Sequence, residues 1–322
     1  MSEKIIITSQ AEAAVIALNE IQKIDPAARG FRLSKEMQLV TVSKPINLSD
    51  NSIFIRHMFP VQLITPTGID GITKKILEFC EKMPKGRNFS IQMRKTEDFE
   101  FPQDLEDELI ALGHIKNDAK PDWALSLLIH EGTLYAGASY CVDNLSNWNG
   151  GMHRFKKSED SISRAEFKLL EALAVFNVDL SKADSALDLG AAPGGWSKVL
   201  LERGLKVTAV DPALLSASIL NHPNLTHIKD VAERLKPKSP FDIIVNDMRM
   251  DMMASSKIML DLSPFLAFGG LVIMTLKLPH KEWYKNTKRA FKLLEKSYTV
   301  QGARQLFHNR SEVTVVLKNN AN

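Results

Sequence analysis

Beyond residue 184 the chain alternates short apolar runs with amphipathic stretches. Residues 185–189, 206–210, 241–246 and 271–276 are rich in Ala, Val, Ile and Leu, and with the short stretch 226–228 predict five strands. Apolar residues at helical spacing predict helices over 163–176, 196–203 and 280–296. Residues 298–304 and 312–317 alternate as two last strands and predict a closing antiparallel hairpin. Strand and helix in turn are what a doubly wound, Rossmann-like α/β sheet requires.

The first half is less regular. Residues 5–8 predict a strand and 11–24 a helix, which Asp25-Pro26 stops; 39–42 and 53–56 predict two more strands. This is a small α/β domain over 1–65. After Pro66-Thr67-Gly68 a second α/β domain spans 66–142, with helices over 69–83 and 102–112 and a strand over 89–94. A hairpin of 123–129 and 133–138 crosses His130-Glu131-Gly132. Residues 143–160, rich in Asn, Ser and Gly, predict a linker before the last domain, 161–322.

Composition narrows the class. Over 322 residues, 41 Lys and Arg stand against 38 Asp and Glu, a net charge of +3 that leaves room for a local basic face only. Lys74, Lys75, Lys82, Lys85 and Arg87 form one candidate RNA-facing cluster, and the run His153-Arg154-Phe155-Lys156-Lys157 another. Cys80 and Cys141, without metal-ligand spacing, fit a reducing compartment and predict no metal site. The apolar stretch 262–278 is interrupted by Pro264, Gly269, Gly270 and Lys277, so no membrane span is expected; nor is a secretory leader, and the expectation is a cytoplasmic protein.

The candidate chemistry gathers where the predicted parallel strands end. Residues 186–196 read A-L-D-L-G-A-A-P-G-G-W: a strand closing on Asp188, a tight turn, then a helix. Gly190, Gly194 and Gly195 are expected to let the backbone turn and approach a ligand, with Pro193 stiffening the turn. Asp211 is the natural acceptor for ribose hydroxyls and Asp230 for an adenine amino group. The turn lacks the G-x-G-x-x-G spacing that seats a pyrophosphate, so a cofactor without phosphate, such as S-adenosylmethionine, fits better. Asp188 and the Gly190 region would face its amino-acid and sulfonium end.

Lys277 follows an apolar strand and Asp247 ends the neighbouring one; Glu312 opens the last strand and Lys168 lies on the helix before the first. Two lysines and two carboxylates can thus meet in one cleft. A neutral lysine there removes a proton from a ribose hydroxyl as it attacks an activated methyl group, whereas a charged lysine orients that hydroxyl.

These residues resemble the FtsJ-like ribose 2′-O-methyltransferases of RNA. The matching motifs are S-R-A-E-F-K-L (163–169), D-L-G-A-A-P-G-G-W (188–196), N-D-M (246–248), Lys277 and S-E-V (311–313). A narrower resemblance, to the RlmM-type enzymes of large-subunit ribosomal RNA, rests on L-K-L-P (276–279), A-R-Q-L-F-H-N-R-S-E-V-T-V (303–315) and Y-A-G-A-S-Y (135–140). The resemblance implies an S-adenosylmethionine-dependent domain preceded by two small domains, the second a THUMP-like RNA-binding domain. It implies a Lys168-Asp247-Lys277-Glu312 tetrad with Lys277 as proton acceptor, and cofactor contacts at Ala192, Pro193, Gly194, Gly195, Asp211, Asp230 and Asp247. Trp196, which closes the motif, is counted with them. The implied partner is 23S ribosomal RNA or a large-subunit assembly intermediate. Residues 249–253, R-M-D-M-M, depart from the family, which has a proline after Asp-Met. Two rivals are a dinucleotide-dependent oxidoreductase, which needs the missing glycine spacing, and an inactive RNA-binding protein, which has no use for a complete tetrad.

Overall fold

The computed structural model describes residues 3–48, 52–68, 70–98, 101, 104–155 and 160–320. The chain divides into two compact units, Met1–His153 and Arg154–Asn322, the boundary falling inside the expected linker. No helix among the described residues is long and apolar enough to cross a membrane.

The first unit holds two sheets. One comprises β1 (Glu3–Thr8), β2 (Arg29–Arg32), β3 (Met37–Val42) and β4 (His57–Pro60) in the order β2-β3-β1-β4, with α1 (Ala14–Ile24) between β1 and β2 in the chain. The strand expected over 53–56 starts later, at His57. Glu20 of α1, itself buried, accepts N–H donors from Ile53 (3.0 Å) and Phe54 (3.1 Å), so these groups are satisfied without a strand partner.

The second sheet comprises β5 (Leu63–Pro66), β6 (Asn88–Lys95), β7 (Ile115–Lys116), β8 (Trp123–His130) and β9 (Thr133–Tyr140), ordered β5-β9-β8-β6-β7. Helices α2 (Ile72–Cys80) and α3 (Leu105–Ala111) complete it, each shorter than expected. Ile69 and Pro102, where the two helices were to begin, lie outside the described residues. The hairpin turn is two residues, Glu131 (φ 48°) and Gly132 (φ 67°), both in the left-handed conformation that a tight hairpin of this twist demands. Trp123, Leu125, Leu127 and Ile129 pack with Ile76, Phe79 and Leu109, while Leu128 faces Ile6, Met37 and Phe59 of the first sheet. Strand β8 is therefore apolar on both faces. Lys74, Lys75, Lys82, Lys85, Arg87 and Arg154 are exposed; Lys156 and Lys157 lie outside the described residues.

The second unit is a seven-stranded sheet, β12-β11-β10-β13-β14-β16-β15. Its strands are β10 (Ser185–Leu189), β11 (Lys206–Val210), β12 (Leu225–Ile228), β13 (Phe241–Asn246), β14 (Leu266–Lys277), β15 (Tyr298–Arg304) and β16 (Glu312–Asn319). The first five are parallel; β16 lies antiparallel between β14 and β15. This is a Rossmann-like doubly wound sheet with a closing antiparallel hairpin. The helices are α4 (Ala165–Val175), α5 (Gly195–Leu201), α6 (Ala217–Leu220), α7 (Met252–Asp261) and α8 (Trp283–Leu294). Neither α6 nor α7 is evident in the apolar pattern. The buried face of α7 mixes Met252, Ser255, Ser256, Ile258 and Met259, and Asp251 caps it by accepting from Met253 and Ala254 N–H. Strand β14 begins at Leu266 and bends through Gly269-Gly270, where a Cβ on Gly270 would lie 2.9 Å from the Asp242 carbonyl.

Ile273 sits in β14, paired on both sides and wholly buried. Ile273→Ala is expected to destabilise this unit by about 2–5 kcal/mol, read as a lowered midpoint in chemical denaturation of the full chain followed by near-ultraviolet circular dichroism.

Candidate active site

Parallel pairing aligns the functional ends. Ile228, Val210, Leu189, Asn246 and Met274 form one hydrogen-bonded row across five strands. The next residues, among them Asp211, Gly190, Asp247 and Thr275, line the carboxyl edge, where open α/β sheets bind ligands. Lys277 lies two residues further along β14, on the same face as Thr275, and its antiparallel partner on β16 is Glu312.

The four charged residues close a ring. Lys277 Nζ lies 2.7 Å from Asp247 Oδ1 and 2.5 Å from Glu312 Oε2, and Lys168 Nζ lies 2.5 Å from Glu312 Oε1 and 3.2 Å from Asp247 Oδ2. Each ammonium thus touches both carboxylates, and the formal charges cancel. Side-chain exposure runs from 7% at Glu312 to 23% at Lys277, so the ring is screened yet open on one side. Burial works to raise the Asp247 pKa, but Lys277 and Lys168 outweigh it and hold the carboxyl below its ordinary value. Burial likewise works to lower Lys168, and Asp247 and Glu312 lift it above its ordinary value.

Thr275 was not foreseen. Its hydroxyl donates to Asp247 Oδ1 (2.6 Å) and accepts from Lys277 Nζ (2.9 Å), tying the two together. Its position two residues before Lys277 on a strand was the available signal.

The helix and loop that carry the outer members are held by buried carboxylates. Glu166 accepts the N–H of Ile162 (2.5 Å) and Ser163 (3.0 Å), the Glu half of a capping box at the start of α4, which bears Lys168. Glu171, one helical turn on, accepts the N–H of Phe307 and His308, each at 2.8 Å. That fixes the loop leading to Glu312 against the helix leading to Lys168.

The glycine-rich turn is tight as expected, with Gly190 (φ 72°) and Gly194 (φ 112°) in the left-handed conformation. A Cβ on Gly190 would lie 2.7 Å from Met248 Cγ, one on Gly194 2.4 Å from Ile219 Cδ1, and one on Gly195 2.4 Å from Ser163 Oγ. These glycines make room for neighbouring protein side chains. Trp196 is 3% exposed and donates its indole N–H to the Ala165 carbonyl (2.7 Å), so its ring is a packing element against α4. Asp188 is 1% exposed and accepts from Ser197 Oγ (2.7 Å), sealed beneath the turn instead of facing a ligand. The residues with surface to offer are Gly190, Ala192, Pro193, Asp211, Asp230 and Asp247. Asp211 also accepts the Ala192 N–H at 3.1 Å, and Asp230 meets exposed Arg234 at 3.3 Å.

Residues 161–299 match the family described as FtsJ-like methyltransferase. This domain is an FtsJ-like methyltransferase domain. Among curated relatives, "Ribosomal RNA large subunit methyltransferase M" of Xylella fastidiosa is 32% identical over 69% of this chain and 66% of its own. The protein of the same name from Methylococcus capsulatus is 35% identical over 55% of this chain and 53% of its own. The match thus spans about half to two thirds of the curated relatives' length. They carry the name that the RlmM-type motifs pointed to. A fibrillarin pre-rRNA processing protein of Methanococcus jannaschii, known as a solved structure, is 14% identical with a TM-score of 0.42, over 63% of this chain and 86% of that one.

S-adenosylmethionine is the cofactor of the FtsJ-like domain. The donor set fits it: the partly exposed acids along the edge are Asp211, Asp230 and Asp247, and residues 188–196 contain no cation for a pyrophosphate, whereas a sulfonium is itself cationic.

Burial raises the Asp188 carboxyl to about 7. A carboxyl raised on folding binds its proton more tightly in the native state, so stability falls as pH rises from the unfolded value through about 7. Asp188→Asn is expected to flatten that slope, measured as the thermal midpoint against pH; an unchanged slope refutes the assignment.

Proposed function

We propose that the FtsJ-like domain methylates a ribose 2′-hydroxyl of large-subunit ribosomal RNA. The observation that carries this reading is the closed ring of Lys168, Asp247, Lys277 and Glu312 at the carboxyl edge of the sheet. When bound, S-adenosylmethionine supplies an electrophilic methyl group and leaves as a neutral thioether. A hydroxyl that takes the methyl must give up its proton, and Lys277 is the group to receive it.

Lys277 Nζ has three accepting neighbours, Asp247, Thr275 and Glu312. As an ammonium it has one donor for each; as an amine it keeps two N–H groups and a lone pair. The lone pair takes the hydroxyl proton, and the flanking carboxylates stabilise the ammonium that forms. Lys168, held above its ordinary value, stays charged and helps hold Asp247 below its own.

The RNA substrate follows from the relatives' name, which specifies large-subunit ribosomal RNA. Its source within the cell is 23S ribosomal RNA or a large-subunit assembly intermediate. The second sheet of the first unit, with exposed Lys74, Lys75, Lys82, Lys85 and Arg87, is proposed as the THUMP-like RNA-binding part.

Lys277→Ala is expected to reduce methyl transfer by roughly 10²–10⁴-fold and to leave S-adenosylmethionine affinity within a few-fold by isothermal titration. Activity near that of the wild type refutes the role. Mapping ribosomal RNA from a deletion strain by resistance to alkaline cleavage tests the product: a methyl found on a base instead of a ribose sinks the 2′-O assignment.

A further inference from the structure

Three aromatic rings, two of them on segments that also carry tetrad residues, form a cluster of their own. Phe155 and Phe167 lie parallel, 2° between planes and 6.1 Å between centroids. His308 leans on both, 5.4 Å from Phe167 at 33° and 5.8 Å from Phe155 at 34°. Phe167 directly precedes Lys168 on α4, and His308 lies four residues before Glu312, so two of the rings belong to the elements that carry reactive charges. Glu171 commits both carboxylate oxygens to holding the Phe307-His308 backbone, which places the His308 ring.

The exposure of these rings separates them from the core. Trp196 and Tyr298 are sealed, at 3% and 1%, whereas Phe155, Phe167 and His308 are each only half-buried. Arg154, Arg164 and Arg310, next in sequence or close to the three rings, are exposed. Half-exposed π-faces flanked by guanidinium groups match a chain of stacked bases linked by phosphates. An apolar peptide would leave the three arginines without complementary charge.

We propose that Phe155, Phe167 and His308 form a stacking platform for an unpaired base of the RNA strand, next to the ribose presented to Lys277. The inference rests on the RNA methyltransferase reading above and adds how the strand is held. The three rings are positioning residues: they bind a base and take no part in proton transfer. Stacking asks only for a π-face, so the platform tolerates any base and leaves sequence choice to other surfaces.

The test uses the full-length protein and two fluorescein-labelled single-stranded probes, oligoadenylate and an abasic oligomer with the same number of phosphates. The wild type is expected to bind oligoadenylate more tightly than the abasic strand. Phe167→Leu should lose about 5- to 150-fold in oligoadenylate affinity, with abasic binding unchanged, and Phe167→Tyr should restore the preference. On ribosomal RNA, Phe167→Leu should raise KM and spare kcat. His308→Leu serves as the second variant should Phe167→Leu lower the thermal midpoint or S-adenosylmethionine affinity. Equal binding of the two probes by the wild type, or an undiminished preference in variants that fold and bind cofactor, overturns the platform. A wild type that methylates no RNA instead overturns the parent reading, so the two failures are distinguishable.

Discussion

The antiparallel pairing of Lys277 with Glu312 is the constraint on which the reactive edge depends. Directly opposed residues on paired strands hold their side chains on one face, and a slip of one residue would turn Glu312 to the other. With that pair fixed, Asp247 from β13 and Lys168 from α4 complete a neutral ring. Neutrality matters because isolated charges cannot be kept out of water cheaply, and deleting one member of a buried pair costs on the order of 3–5 kcal/mol. Each charge in the ring is therefore retained for the sake of the other three. Thr275 adds a hydroxyl between Asp247 and Lys277, so the geometry does not rest on charge alone.

The two ends of the parallel sheet do different work. At the amino edge Asp242 accepts the Asp184 and Ser185 N–H groups and the Ser185 hydroxyl, a set of local bonds that closes the base of β10 on β13. At the carboxyl edge the acids Asp211, Asp230 and Asp247 keep surface for a ligand. Between these edges the glycine-rich turn is shaped by its neighbours. Met248, Ile219 and Ser163 occupy the space that side chains on Gly190, Gly194 and Gly195 would need, so the turn is kept tight from within the protein.

Much of this was legible in the sequence, for stated reasons. Runs such as 206–210 and 241–246 are apolar on both faces because both faces are covered, and that made the parallel strands and their acidic ends readable. Asp247, Lys277 and Glu312 were visible because charges at the ends of apolar strands are conspicuous, whereas Lys168 on α4 was legible only as part of the 163–169 motif. Elements whose buried face is not apolar stayed hidden: α7 packs serines, and β2 is exposed along its whole length. The strand expected at 53–56 was a failure of another kind, since Ile53, Phe54 and Ile55 are buried as an apolar run predicts, but a glutamate 33 residues before Ile53 takes the Ile53 and Phe54 N–H groups and Ser52 Oγ takes that of Ile55. A long-range side chain of that sort leaves no local pattern. Asp188 and Trp196 were picked out as positions, but their burial was not legible, because a motif does not say which of its side chains the fold seals.

Strand β16 carries a further consequence, one of timing. It is the last strand made, yet it lies between β14 and β15 and brings Glu312 to the ring. Until residues 312–319 are made, β14 lacks its antiparallel partner, and Lys168, Asp247 and Lys277 offer one negative charge against two positive ones. Only when residues 312–319 enter the sheet does the charge balance and the edge close. The reactive ring therefore cannot be complete until β16 is made, and no nascent fragment ending before Glu312 can hold it.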